Sequence, residues 1–117
     1  MHNKTRRPIE FNALRFLATT YFKQKEWSKG VETLEKVLLE YPDRQYLTVQ
    51  RAEVIIKTIN TVSLTQLQDY NVPLKIYEGF IARNASHPLN SVLKEMIKGL
   101  KKLQEKNIRL RLPNDPG

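Results

Sequence analysis

Apolar positions recur at helical spacing along most of the chain. From Ile9 to about Phe22, Ala13, Leu14, Leu17, Ala18 and Tyr21 fall at i, i+1, i+4, i+5 and i+8, one face of a 3.6-residue period. Pro8 stands just ahead, where a helix start tolerates proline. After the polar break Lys23-Gln24-Lys25-Glu26, the spacing resumes at Trp27 (or from a start at Ser28) and runs through Val31, Leu34, Val37, Leu38 and Tyr41 to a stop at Pro42-Asp43. A third helix is expected from about Arg44 to Asn60, with Leu47, Ala52, Ile55, Ile56 and Ile59 as its apolar face. Val54-Ile55-Ile56 has the composition of a buried strand. The long pattern around it, and the lack of a second strand-like run to pair with it, favour helix.

Further along, Ser63-Leu64-Thr65-Gln66 matches a capping box, in which serine caps a helix and glutamine reaches back to the cap's own amide. It predicts a short helix over 64–70, interrupted at Asn71-Val72-Pro73. A main helix then follows over 73–84 with Leu74, Tyr77, Phe80 and Ile81 inward. Asn84 to Pro88 reads as a turn. The last helix, about 89–106, carries the most continuous stripe: Leu89, Val92, Leu93, Met96, Ile97, Leu100 and Leu103. The expectation is an all-α fold with a basic arm at 1–8, one helical domain at 9–106 and an extended tail at 107–117.

Composition narrows the class. The chain has 117 residues, 40% apolar and 27% charged, the profile of one ordinary globular domain. It has no cysteine, which excludes disulfides, thiolate nucleophiles and cysteine metal sites and favours a reducing, intracellular and most simply cytoplasmic setting. No apolar run approaches the ~18 residues of a membrane span, and the polar, basic N-terminus lacks the apolar stretch of a secretory signal. Net charge is +8, and the ends supply nearly all of it. Lys4, Arg6 and Arg7 face only Glu10 in the first ten residues, and seven cations face Glu95 and Glu105 across 94–111. Such asymmetry points to an acidic partner.

Counting from Phe11, Leu14, Leu17 and Ala18 stand at large, leucine and small positions of a first helix, and Tyr21 and Trp27 at two aromatic positions. Gly30, Leu34 and Val37 follow at small, large and small positions of a second helix, and Pro42 closes the unit. In this pattern residues 11–44 resemble a tetratricopeptide repeat. Val37 is bulkier than the alanine usual there. Residues 45–88 follow the pattern only loosely: Ala52 fits, but Arg51 replaces a leucine, and Ile76 and Arg83 stand where small residues belong. The resemblance implies short antiparallel helical hairpins of the α-solenoid type, closed by helix 89–106 as a C-terminal cap. It also implies a protein partner or a homo-oligomer, because such stacks need about three units. The groove it implies would be lined by Asn12, Arg15, Thr19, Phe22, Lys23, Tyr46, Val49 and Glu53. Chaperone-binding relatives clamp a chain-end carboxylate with Lys and Asn one turn apart. Arg15, Thr19 and Gln50 occupy those places here, so that ligand is not expected.

Lys94, Lys98, Lys101 and Lys102, continued by Arg109 and Arg111, form a basic face opposite the last apolar stripe. It is either a solvated surface or a phosphate-binding one, so nucleic acid is the alternative partner. The stripe lacks a Trp or Phe anchor, and a membrane is not expected. Trp27 is expected in the core and His87 exposed in its turn. With two histidines and no ligand spacing, no metal site is expected. No phosphate loop, nucleophile elbow or paired-carboxylate pattern is present. The reading is therefore a non-catalytic protein-binding scaffold or adaptor, or a small helical subunit of a larger assembly, without a cofactor.

Overall fold

The computed structural model describes residues 6–106. They form five helices and, among the described residues, no strand: α1 (Arg6–Lys23), α2 (Trp27–Glu40), α3 (Val49–Thr65), α4 (Asn71–Arg83) and α5 (Asn90–Glu105). The chain divides into two compact units, Met1–Ile59 and Asn60–Gly117, with α3 running continuously through the boundary. The fold is all-α. No described helix is long and apolar enough to cross a membrane. The arm at 1–5 and the tail at 107–117 lie outside the described residues.

In the first unit, α1 and α2 pack as an antiparallel hairpin. Their connection is a Schellman turn: Glu26 N–H donates to Tyr21 O (2.9 Å) and Lys25 N–H to Phe22 O (3.0 Å). Lys25 takes the left-handed conformation (φ 61°) that such a turn demands. Gly30 is buried on the facing side of α2. A Cβ there would stand only 2.3 Å from Cε1 of the Phe22 ring. The ring occupies the space a side chain would need, which is why this helix carries a glycine. Trp27 is only half-buried and stacks on this same Phe22 ring at 6.3 Å and 28°.

The buried face of α1 differs from the expected one. Phe11 and Ala18 are buried, Leu14 and Tyr21 are half-buried, and Ala13 and Leu17 are exposed. Apolar residues surround α1, so spacing alone does not choose a face. The deciding contact is Phe11, which packs edge-on against Tyr41 (5.6 Å) and tilted against Tyr46 (5.5 Å).

The third helix starts at Val49, five residues later than expected. Residues 43–47 form a turn instead, closed by Tyr46 N–H and Leu47 N–H to Asp43 O (2.9 and 2.8 Å), and both side chains go into the core. Thr48 caps α3: its Oγ1 accepts the Arg51 N–H (3.2 Å). The capping box at 63–66 does not cap a helix. Ser63 is a buried residue inside α3, with no hydrogen-bond partner for its Oγ, and the helix runs on to Thr65. No separate helix forms over 64–70: residues 64 and 65 end α3. A turn with Gln68 in the left-handed region (φ 53°) leads to α4.

In the second unit, Asn71-Val72-Pro73 is not a break but the first turn of α4. The Asp69 carboxylate accepts the Asn71 N–H (2.9 Å), and proline costs no bond at a position whose N–H has no helical partner. Leu74, Ile76, Tyr77 and Phe80 are buried from α4, and Leu93 and Leu100 from α5. The Tyr77 hydroxyl donates to Asn60 Oδ1 (2.5 Å), and Asn60 Nδ2 donates to Met96 Sδ (3.2 Å). Burial pushes the Tyr77 phenol well above its ordinary pKa. In the turn before α5, His87 is half-buried rather than exposed, its ring edge-on to Phe80 at 5.0 Å and its Nδ1 accepting the Leu89 N–H (3.1 Å).

Candidate functional site

The first unit holds a groove of about 620 Å³ between α1 and the start of α3. One wall comes from α1: Asn12, Arg15, Phe16, Thr19, Phe22 and Lys23. Ala18 and Leu34 also contribute, both core residues, so the groove opens onto the hydrophobic core. The other wall is Arg51, Val54, Ile55 and Thr58. Its rims carry two large apolar side chains in solvent, Phe16 (72% exposed) and Val54 (61%). The volume is in the range of clefts that take ligands.

Five of the expected groove residues line it: Asn12, Arg15, Thr19, Phe22 and Lys23. Tyr46, Val49 and Glu53 do not. Tyr46 is buried in the 43–47 turn, while Val49 and Glu53 project from α3 into solvent. The face of α3 turned to the groove is that of Arg51, Val54, Ile55 and Thr58 instead. Arg51 was visible in the sequence as a mismatch, a cation where the repeat pattern has leucine. Val54 and Thr58 carry no such mark.

Charge in the groove is of one sign. Arg15, Lys23 and Arg51 line it, and no carboxylate does. Arg15 and Arg51 lie over the same ring, their guanidinium carbons 5.5 and 5.2 Å from the Phe11 centroid. Arg51 is further fixed by an Nη1 donation to Tyr46 O (2.9 Å). Behind them Arg7 sits 4.6 Å from the Tyr41 centroid and donates through Nη2 to Glu40 O (3.0 Å). The Tyr41 hydroxyl donates to Glu10 Oε1 (3.3 Å); burial, reinforced by that carboxylate, raises its pKa. Tyr41, Tyr46 and Phe11 thus hold three arginines along one edge of the unit.

On α5, Lys94, Lys98, Lys101 and Lys102 are all exposed. Lys101 is paired with Glu78 of α4 at 3.0 Å. Among the described residues the other three make no ion pair. Arg109 and Arg111 lie outside the described residues. No cluster of three or more His, Asp or Glu that could hold a metal occurs among the described residues.

Compared with known proteins, the chain matches no family model, no curated sequence and no solved structure. What the chain does is therefore argued from its own residues.

Proposed function

We propose that the chain is a non-catalytic scaffold, tetratricopeptide-like in its first hairpin, that holds a segment of a partner protein in the α1/α3 groove. The observation that carries the reading is the groove's composition. An apolar floor, two exposed apolar rims and three cations without a carboxylate fit an amphipathic peptide with acidic residues beside its apolar anchors. The cysteine-free composition suits an intracellular setting.

Selection of a displayed random-peptide library on the whole protein tests this. Enriched sequences should combine aspartate or glutamate with apolar residues at i and i+3 or i+4. They should lose binding to an Arg15→Glu, Phe16→Ser variant that melts at the wild-type temperature. Absence of any enriched pattern, or enrichment that this variant leaves intact, rejects the groove.

Three unpaired lysines on one face of α5 support a second reading, nucleic-acid binding. It predicts that the logarithm of affinity for a labelled single strand falls linearly with the logarithm of salt. The slope should flatten in Lys98→Glu, Lys102→Glu. An unchanged slope removes this face from consideration.

A further inference from the structure

The apolar stripe of α5 is wider than the core it serves. Leu93 and Leu100 are buried. To one side of them Val92 (51% exposed), half-buried Met96 and Leu103 (41%) face outward with Gly99 between. Residues 92, 96, 99 and 103 are spaced i, i+4, i+7 and i+11. That is the alternating four-and-three step of a seam along which two helices pack knobs into holes. A Cβ built at Gly99 would have no atom within 4 Å, so the seam has a gap at its middle. A shallow pocket of about 530 Å³ opens at its start, lined by Ser91, Val92, Glu95 and Met96.

We propose that this seam is a self-association surface, on which α5 of a second copy packs antiparallel. The proposal goes beyond the groove reading and uses only the second unit. Its basis is that the strip is complementary to itself under one operation. A two-fold axis between positions 97 and 98 sets Met96, half-buried with its Sδ held by Asn60 Nδ2, against the open position at Gly99 of the other copy, and Gly99 against its Met96. The same axis sets Leu103 against Val92, over the pocket at 91–96. In an antiparallel pair equal flanks meet. Glu95 and Lys102 share the outer flank of the seam, and the axis brings each within one turn of its opposite in the other copy. Among the described residues neither makes an ion pair within its own chain. Lys94, Lys98 and Lys101 lie on the far side of α5, where they do not oppose one another across the pair.

The surface is short, well under the roughly 800 Å² per partner of a stable complex. The expected dissociation constant is about 0.1–1 mM. Sedimentation velocity of the full chain, from about 10 µM to about 1 mM, should show a concentration-dependent shift from monomer to dimer. Gly99→Glu and, separately, Leu103→Glu should each weaken association about tenfold or more. Neither should lower the melting temperature measured in dilute solution, and Gly99→Glu should raise it slightly through helix propensity. Glu95→Lys should weaken it, and adding Lys102→Glu should restore it, because reversal of both charges recreates the pair. A monomer at every concentration overturns the proposal. So does a dimer indifferent to Gly99→Glu and Leu103→Glu. A charge swap that fails to restore association overturns the antiparallel register.

Discussion

In α1 the apolar residues are scattered around the helix, and Phe11 and Ala18 reach the core while Ile9, Phe16 and Leu17 stay in solvent. In α5 they form one continuous stripe, yet only Leu93 and Leu100 among them are fully buried. The weaker sequence pattern therefore carries a fully buried aromatic residue, and the stronger one is left half-covered. Periodicity says that a helix has an apolar face. How much of that face is covered depends on what packs against it, and α1 has Tyr41 from the end of α2 and Tyr46 delivered onto it by a turn that no periodicity encodes.

The comparison breaks most readily at Phe11. Phe11→Ala removes a fully buried ring held by two tyrosines and lying under two arginines, and should cost about 3–5 kcal/mol in urea unfolding. Leu103→Ala on the stripe of α5 should stay within about 0.5 kcal/mol, as an exposed substitution does in a dilute monomer. Equal losses at the two sites would mean that the stripe of α5 is covered after all.

A similar contrast separates two glycines. Gly30→Leu drives a side chain into the Phe22 ring and should lower stability by about 1–3 kcal/mol. Trp27 fluorescence, which senses the Phe22 ring stacked beside it, should shift in the folded state. A variant with wild-type stability and emission would show that the hairpin does not close tightly at Gly30.

The number of long helices and the positions of two turns, at 24–26 and 84–88, were legible because polar or proline-containing breaks interrupt the spacing there. The region 43–73 was read less well, for identifiable reasons. Tyr46 and Leu47 fit a helical face by spacing, but the backbone at 43–47 turns to bury them, and the Thr48 cap lacks the Glu or Gln partner that marks a capping box. Ser63 and Gln66 have capping-box spacing, but a serine can also be carried inside a helix and buried. Five of the residues expected on α1 line the groove, although the buried face of that helix is set by Phe11 and Ala18 rather than by the expected stripe. The opposite wall is a different face of α3 from the one expected, that of Arg51, Val54, Ile55 and Thr58. Arg51 shows what survives such an error: its mismatch with the pattern was visible, although its place on the Phe11 ring was not.

Within the second unit, Tyr77 sharpens the contrast with the aromatic cluster of the first. Tyr77→Phe keeps the ring and removes one hydroxyl, leaving Asn60 Oδ1 without that donor, at about 1–2 kcal/mol. Its pH dependence has a definite sign. Burial raises the folded-state pKa, so the phenol stays neutral in the folded chain after it would ionise in the unfolded one. The stabilising contribution is complete below the unfolded value of about 10 and is lost as pH rises through and beyond it. Tyr41, also raised, acts in the same direction. Stability of the wild type should therefore fall above about pH 10, and Tyr77→Phe should fall less steeply. Parallel curves would place the alkaline loss elsewhere.

The smallest effect is at Gly99, and its sign is what matters. Gly30 and Gly99 both interrupt a helix interior, where glycine costs up to about 1 kcal/mol relative to alanine. At Gly30 the added methyl meets the Phe22 ring, and the gain in helix propensity is opposed by a displaced aromatic side chain. At Gly99 nothing opposes it, so Gly99→Ala should raise stability in dilute solution by about 0.5–1 kcal/mol. Gly30→Ala, by contrast, should fall short of that gain or reverse it. The difference between the two alanine variants cancels intrinsic propensity and isolates the packing at Gly30. If both gain equally, the Phe22 ring yields without cost, and the glycine of the first hairpin is not there to admit it.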